Sequence, residues 1–163
     1  MTKIGLLSDT HCYLHPKIFE HLNDCDEIWH AGDIGNIETA DRLRKFKPLK
    51  AVHGNIDGQD IRIVYPKHQR FLCEQVDVWI THIGGYPGNY VPEVRDKIKI
   101  NPPKLFISGH SHILKVQYDK KLDLLHINPG AAGKSGLHHV ITFVKFEIDG
   151  SEIKNLKVIE INR

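Results

Sequence analysis

Short apolar runs in the first third of the chain each end in polar residues. Three of them, over residues 4–8, 27–31 and 49–53, have the pattern of buried parallel strands. Between them, apolar residues at helical spacing predict two helices, one with Pro16 in its first turn and one with Asn36 as its N-cap. The order strand, helix, strand, helix, strand predicts a parallel sheet.

The rest of the chain is predicted to be mostly strands. One helix is expected over 92–100, and strands are expected over 69–74, 76–81, 104–108, 115–118, 122–127, 139–148 and 152–161. Asp149-Gly150 predicts a hairpin turn between the last two strands. We expect this half to form a second, mainly antiparallel sheet packed on the first. Because no repeat, low-complexity segment or linker divides the chain, residues 1–163 are predicted to form a single domain.

Composition narrows the classes of function. The 22 basic and 20 acidic residues give a net charge of +2 and are spread along the chain, which argues against a nucleic-acid-binding surface. The three cysteines form no CxxC pair, so a reducing compartment is favoured over a disulfide framework. Asp9 interrupts the N-terminal apolar run before it reaches signal-peptide length, and no run is long enough to span a membrane. We therefore expect a cytoplasmic protein without a membrane partner.

Polar side chains follow the predicted strands at the edge where open α/β sheets bind ligands. His110 and His112 lie two residues apart after Gly109, a spacing that puts both imidazoles on one face of an extended chain. Alone, this pair is equally consistent with polar residues at a strand end. The full set of candidate ligands is Asp9, His11, Asp33, Asn55, His82, His110 and His112. Its mixture of carboxylate, amide and imidazole suits Mn, Fe, Co, Ni or Zn better than Ca or Mg, and seven ligands suit two ions that share a carboxylate.

A resemblance to a known family rests on five blocks in chain order. They are Asp9-Thr10-His11, Gly32-Asp33, Gly54-Asn55, His82 and Gly109-His110-Ser111-His112. This series resembles the signature of the calcineurin-like metallophosphoesterases and extends from residue 4 to about residue 130. The short length and the Ile127-Asn128-Pro129-Gly130 stretch resemble the small YfcE-type phosphodiesterases of bacteria and archaea. The resemblance implies an α/β fold, a four-layer αββα sandwich of two mixed β-sheets flanked by helices.

The resemblance also implies a role for each ligand. The first ion would be held by Asp9, His11 and His112, the second by Asn55, His82 and His110, and Asp33 would bridge them. The implied cofactors are two divalent transition-metal ions per chain, with Mn²⁺ favoured over Ni, Fe, Co or Zn. They would hold a hydroxide that attacks a phosphate ester, with Asn55, Asp33 and His82 as catalytic residues.

Expected partners follow from this chemistry. A small phosphate ester is the expected substrate, and association of the chain with copies of itself is left open. Asn55 is implied to contact a phosphate oxygen, and Lys134, in a glycine-rich loop over 130–135, is expected to reach the substrate. That loop lacks the glycine spacing of a nucleotide phosphate loop.

Two departures and one rival function qualify the resemblance. Ile56 stands where many relatives have a histidine proposed to protonate the leaving group, which leaves Asp57 or a metal-bound water for that role. Asn36 stands where many have a charged residue. The rival is a protein-interaction scaffold, because a retromer subunit has the same small fold and a similar Asn-Pro-Gly stretch. Retention of all seven ligands favours the enzyme.

Overall fold

The computed structural model describes residues 1–163 and places most of its strands in two five-stranded sheets. The strands are β1 (Thr2–Leu7), β2 (Glu27–His30), β3 (Leu49–Ala51), β4 (His68–Cys73), β5 (Val76–Thr81), β6 (Gly85–Tyr86), β7 (Asn89–Tyr90), β8 (Leu105–Ile107), β9 (Lys115–Asp119), β10 (Leu124–Asn128), β11 (Val140–Asp149) and β12 (Glu152–Asn162). The helices are α1 (Pro16–His21), α2 (Ile37–Phe46), α3 (Gln59–Arg62) and α4 (Pro92–Ile100).

The first sheet has the strand order β12-β11-β1-β2-β3. Its strands β1, β2 and β3 run parallel to one another, which confirms the parallel arrangement predicted for the first third of the chain. The second sheet has the order β4-β5-β8-β10-β9. Its three central strands are parallel, and each edge strand is antiparallel to its neighbour, so this sheet is mixed.

The expectation of a second, mainly antiparallel sheet was wrong in two respects. One is that its three central strands are parallel, and the other concerns the last two strands. The β11–β12 hairpin does not join the other strands of the second half but extends the first sheet, with β11 antiparallel to β1. Alternation of apolar and polar residues shows which face of a strand is buried, but it does not identify the neighbouring strand.

Three apolar layers separate the elements. The central layer joins the two sheets and includes Trp29 and Val144 from the first and Ile80 and Ile107 from the second. A second layer lies between the first sheet and helices α1 and α2, and a third lies between the second sheet and α4. The order helix, sheet, sheet, helix confirms the four-layer αββα sandwich.

The helix boundaries follow local sequence. α2 begins after Asn36, whose side-chain oxygen accepts a hydrogen bond from the Thr39 N–H at 2.9 Å, so the predicted N-cap is confirmed. α1 begins at Pro16 and ends at His21. The longest helix has 10 residues, and none combines the length and apolar character needed to cross a membrane.

Loops at the carboxyl ends of the strands are hydrogen-bonded to one another. The backbone N–H of Asp9, after β1, donates to the carbonyl of Gly32, after β2, at 2.9 Å. The N–H of Gly109, after β8, donates to the carbonyl of His82, after β5, at 2.9 Å. These bonds join loops within each sheet at the edge that carries the candidate ligands.

Candidate metal centre

The structure brings the seven predicted side chains together in two neighbouring groups. In each group the ligand atoms lie within 4.8 Å of one another; the groups are Asp9, His11 and His112, and Asp33, His82 and His110. The Asn55 Oδ1 atom lies 3.1 Å from His110 Nδ1, which places the amide in the second group. The first group contains the three side chains that the resemblance assigns to one ion, and the second contains those that it assigns to the other, together with Asp33.

Asp33 lies between histidines of the two groups. Its Oδ2 atom is 3.2 Å from His82 Nε2 and 3.5 Å from His11 Nε2. The Oδ1 atom of Asp9 is closest to His112 Nε2, at 3.2 Å, and is 3.8 Å from the Nε2 atoms of His11 and His82. One Asp33 oxygen therefore faces ligand atoms from both groups.

Several of these buried atoms have no hydrogen-bond partner in the protein. They are Asp9 Oδ1, His11 Nε2 and His82 Nε2, all of which point into the space between the two groups. Buried polar atoms are otherwise almost always hydrogen-bonded, so their convergence needs a ligand to explain it. Carboxylate oxygen and imidazole nitrogen are ligands of transition metals, so the residues present fit divalent cations.

The second polar atom of Asp9 and of His82 is hydrogen-bonded to the protein. Asp9 Oδ2 accepts from Ser8 Oγ at 2.6 Å and from the His110 N–H at 3.1 Å. His82 Nδ1 donates to the Ala31 carbonyl at 2.7 Å, which leaves Nε2 free to coordinate. Such outer contacts fix the orientation of metal ligands before the metal binds.

Opposite charges shift the pKa values of these groups. Burial would raise the pKa of Asp9, but the nearby imidazoles of His11 and His112 hold it well below its ordinary value. Burial would lower the pKa of His82, but Asp33 and Asp9 raise it above the ordinary value. Without metal, protons on imidazole balance the carboxylates, so metal binding is expected to release protons.

The ligand loops have an unusual backbone. Nine residues other than glycine have positive φ, and six lie at the site: Asp9 (55°), His11 (46°), Cys12 (70°), Asp33 (56°), His110 (71°) and His112 (63°). Each such conformation costs roughly 1–3 kcal/mol and persists only where the surroundings impose it. This concentration at one sheet edge is typical of a functional site.

Two glycines are required by close packing beneath the ligands. A Cβ atom at Gly54 would lie 2.0 Å from Asp33 Oδ1, and one at Gly109 would lie 2.1 Å from Ser8 Oγ. Both distances are shorter than van der Waals contact allows. The glycines that precede Asn55 and His110 therefore let the ligand loops approach the two carboxylates.

Sequence reasoning missed the role of Asp57. This buried carboxylate accepts three backbone N–H bonds, from Ile34 at 3.1 Å and from Gly35 and Gly54 at 2.8 Å each. Both oxygens are used, so Asp57 is a brace between the loops after β2 and β3 and not a free replacement for the acid missing at Ile56. The signal was an aspartate three residues after Gly54, a spacing that favours turns.

Asn128 is a second brace that went unassigned. Its Nδ2 atom donates to the Gly109 carbonyl at 3.0 Å and to Ser111 Oγ at 3.1 Å, and its Oδ1 atom accepts from the Gly130 N–H at 3.0 Å. Asn128 thus holds the loop that carries His110 and His112.

The glycine-rich loop after Asn128 runs beside the site. The Gly133 N–H donates to the Asp9 carbonyl at 3.1 Å, while the Lys134 side chain is exposed and its ammonium lies 4.2 Å from the centre of the Tyr13 ring. Strand β11, not a helix, follows this loop. His138 donates from Nε2 to the Gly133 carbonyl at 2.7 Å, and its ring centre is 5.5 Å from that of His112.

Comparison with known proteins shows which domain family the chain matches. Residues 2–151 match the calcineurin-like phosphoesterase superfamily domain. A probable metallophosphoesterase of Methanocaldococcus jannaschii is 28% identical over 139 residues, which cover 78% of this chain and 67% of that protein.

Solved structures with the same fold include a phosphodiesterase and a vacuolar protein sorting protein. An archaeal phosphodiesterase has a TM-score of 0.76 and 22% identity, with 98% of this chain and 99% of that one covered. The zinc complex of Vps29 from Entamoeba histolytica has a TM-score of 0.73 and 20% identity, with 98% of each chain covered. At these identities the likeness concerns the fold. On the match over residues 2–151, the chain belongs to the calcineurin-like phosphoesterase superfamily.

Proposed function

We propose that this chain is a metal-dependent phosphodiesterase that binds two divalent transition-metal ions, with Mn²⁺ preferred. The observation that carries the proposal is the pair of adjoining ligand groups, in which one oxygen of Asp33 faces His11 and His82. Residues 1–163 would act as one domain, because the ligands come from loops after strands of both sheets.

In this proposal each side chain has a defined task. Asp9, His11 and His112 hold one ion, Asn55, His82 and His110 hold the other, and Asp33 contacts both. When bound, two such ions supply an activated water for attack on phosphorus and neutralise charge on the phosphate oxygens.

The protein groups around the ions orient the reaction. The Ala31 carbonyl keeps the His82 ring in the tautomer that presents Nε2. We assign the exposed Asn55 amide a contact with a phosphate oxygen, and the exposed Lys134 a second contact with the substrate.

Two cavities beside the ligands support a diester over a monoester. One, of about 430 Å³, is lined by Asn55 and His82, and the other, of about 290 Å³, is lined by His110. Ile83 lines both cavities, so they are neighbours. A phosphodiester has two organic arms, and one cavity is available for each.

Leaving-group chemistry limits the substrates expected. Ile56 is 48% exposed at the rim and has no proton to donate, and Asp57 is fully engaged with backbone N–H groups. General acid assistance is typically worth about 10²–10⁴-fold when the departing oxygen is a poor leaving group. Aryl esters should therefore be cleaved faster than alkyl esters.

Metal removal and reconstitution test the proposal. Chelator-treated protein should be inactive, should melt at a lower temperature, and should recover hydrolysis of bis(p-nitrophenyl) phosphate with Mn²⁺ more than with Mg²⁺. Calorimetric titration should find two Mn²⁺ ions per chain. His21→Ala, which removes an exposed histidine from α1, is a matched control and should leave both results unchanged. One ion per chain at saturation would contradict the dinuclear site.

The same experiment separates the enzyme from the scaffold of the retromer-subunit type. The scaffold is the second candidate function because the fold of this chain is similar to that of Vps29. A scaffold would bind ions and gain stability without hydrolysing any phosphate diester. Two observations favour catalysis: all seven candidate ligand side chains are retained, and hydrogen bonds to Asp9 Oδ2 and His82 Nδ1 fix two of them in orientation.

A further inference from the structure

The smaller cavity has a wall that the metal chemistry does not explain. Beside His110, three apolar side chains are left exposed: Ile83 by 40%, Tyr86 by 42% and Ile113 by 64%. Large apolar side chains grouped around a concave surface next to an active site are typical of a ligand pocket. We propose that this cavity binds an aromatic arm of the phosphodiester substrate, with Tyr86 as the residue that determines this specificity.

Tyr86 is held in place by several contacts. It lies in the short β6–β7 ribbon, where its hydroxyl accepts a hydrogen bond from Asn89 Nδ2 at 3.1 Å. The ammonium of Lys115, from the second sheet, lies 4.1 Å from the centre of the Tyr86 ring, within the range of a cation–π contact. An aromatic side chain held in this way loses little conformational entropy when a ligand packs against it.

The ribbon is also fixed relative to the metal ligands. Ser108 Oγ donates to the Gly85 carbonyl at 3.1 Å, and Ser108 lies two residues before His110. A Cβ atom at Gly84 would lie 2.6 Å from Phe106 Cζ, so the ribbon is packed directly on the second sheet. Tyr86 and His110 therefore line one cavity and belong to segments that are hydrogen-bonded to each other.

The chemistry of the cavity selects the kind of arm. Tyr86, Ile83 and Ile113 offer apolar and aromatic surface, and Lys115 adds one positive charge. Planar aromatic groups stack on such surfaces whatever their exact substituents. The larger cavity differs, because Arg62, Lys67 and Glu93 line it and suit a polar arm. The structure thus favours a diester with one aromatic arm, such as a phenyl or nucleobase-bearing group.

This inference rests on the proposed function, so the test uses binding of phosphonates to the Mn²⁺-loaded protein. Phenylphosphonate, methylphosphonate and inorganic phosphate are compared by calorimetry. Phenylphosphonate should bind about tenfold more tightly than methylphosphonate, the low end of what stacking on one aromatic ring provides. Tyr86→Ala should bring this ratio close to one, and Tyr86→Phe should preserve it.

A matched control isolates the cavity. Tyr118→Ala removes an exposed tyrosine on β9 that does not line the cavity, and it should leave the ratio unchanged. Affinity for inorganic phosphate should be the same in all four proteins. The ratio in the parent protein does not depend on whether any variant folds.

The outcomes separate the two proposals. Binding of inorganic phosphate and hydrolysis of diesters, without preference for phenylphosphonate, would overturn the aromatic subsite and leave the phosphodiesterase intact. A preference that survives in Tyr86→Ala would overturn the role of Tyr86. Absence of both phosphate binding and hydrolysis in the loaded protein would overturn the proposed function and this inference together.

Discussion

Two buried histidines, one at the metal centre and one in the second sheet, have the same anchor and opposite surroundings. His82 is 3% exposed and donates from Nδ1 to the Ala31 carbonyl at 2.7 Å. His126, on β10, is 1% exposed and its Nδ1 donates to the Phe106 carbonyl at 3.1 Å. The Nε2 atom of His82 faces carboxylates, whereas the His126 ring lies against that of Phe106, with centres 5.6 Å apart.

This difference gives the two imidazoles opposite acid–base behaviour. Burial lowers the pKa of His126 to about 4, and the Phe106 carbonyl opposes this effect only in part. Burial acts in the same direction on His82, but Asp33 and Asp9 raise its pKa above the ordinary value. Burial and a hydrogen bond to a carbonyl therefore fix the orientation of both imidazole rings. Only His82 has adjacent carboxylates, and these make its environment favourable for a cation.

The largest effect is expected when the carboxylate that faces His82 is removed. Asp33→Asn should weaken both metal sites, because the same oxygen also faces His11. We expect kcat/KM to fall by more than about 100-fold, since even outer partners of ligands are typically worth about 10–100-fold. Metal titration and diester hydrolysis measure the two effects.

Asp96→Asn is the control, because the Asp96 side chain is 79% exposed and lies on α4. It should match the parent protein in both assays. Turnover of Asp33→Asn equal to that of the parent protein at low Mn²⁺ would show that Asp33 is not the bridging ligand.

Removal of His82 and of His126 in separate variants tests whether only His82 is needed for activity. His82→Ala should lower kcat/KM by about 100-fold and leave one tightly bound ion, since a coordinating ligand is lost. His126→Leu should change kcat/KM by less than about threefold, although it lowers the melting temperature because the Phe106 carbonyl loses a buried partner. Equal losses of activity in the two variants would contradict the assignment of His82 as a ligand.

The pH dependence of stability follows from His126. Its folded pKa of about 4 lies below the ordinary value of 6.5, so between these values the unfolded chain binds a proton that the folded chain does not. The stabilisation is present above the unfolded pKa and is lost as pH falls toward 4. Between pH 7 and pH 5 this loss is about 2 kcal/mol in the free energy of unfolding.

Urea denaturation of metal-free protein measures this loss. His126→Leu should lose about 2 kcal/mol less than the parent protein between pH 7 and pH 5. The contribution of His82 has the opposite sign, because its raised pKa stabilises the folded chain at low pH and that stabilisation disappears as pH rises. Parallel curves for the two proteins would mean that the pKa of His126 is the same in the folded and unfolded states.

The smallest effect is expected from the substitution Ile56→His, which puts an imidazole at the exposed rim of the site. Ile56→His should raise kcat/KM for alkyl esters by about tenfold, less than the 10²–10⁴-fold typical of an evolved general acid. Aryl esters should change by less than about twofold, because phenolate departs without protonation. The dependence of kcat/KM on leaving-group pKa measures this, and an unchanged slope would mean that protonation is supplied elsewhere.

Local sequence was sufficient to predict most of the elements, although α3, β6 and β7 were missed. The strand at 76–81 and the helix at 92–100 match β5 and α4 to the residue, and the N-cap at Asn36 is confirmed. These features depend on periodicity and on side chains that act within one turn. The place of the β11–β12 hairpin in the first sheet depends on contacts between residues more than 130 positions apart, for which no local pattern exists.

The candidate site also has one part that local sequence predicted and one part that it did not. Residue types at strand ends were sufficient to collect the seven ligand side chains, because parallel strands bring their carboxyl ends to one edge. The braces were not predictable, since Asp57, the Ala31 carbonyl and the His110 N–H act on atoms supplied by other loops. Tyr86 was also missed, because its importance depends on exposure beside His110 and not on any motif.

The left-handed backbone of the ligand loops has a consequence for directed evolution. Glycine relieves the strain at a residue with positive φ, so Asn155→Gly, at an irregularity in the pairing of β12 with β11, should raise the melting temperature. The same exchange at Asp9 or His112 also relieves strain, yet it deletes a ligand. On the proposed function, a library selected only for heat resistance without metal would therefore enrich inactive clones, and selection for turnover at limiting manganese would remove them.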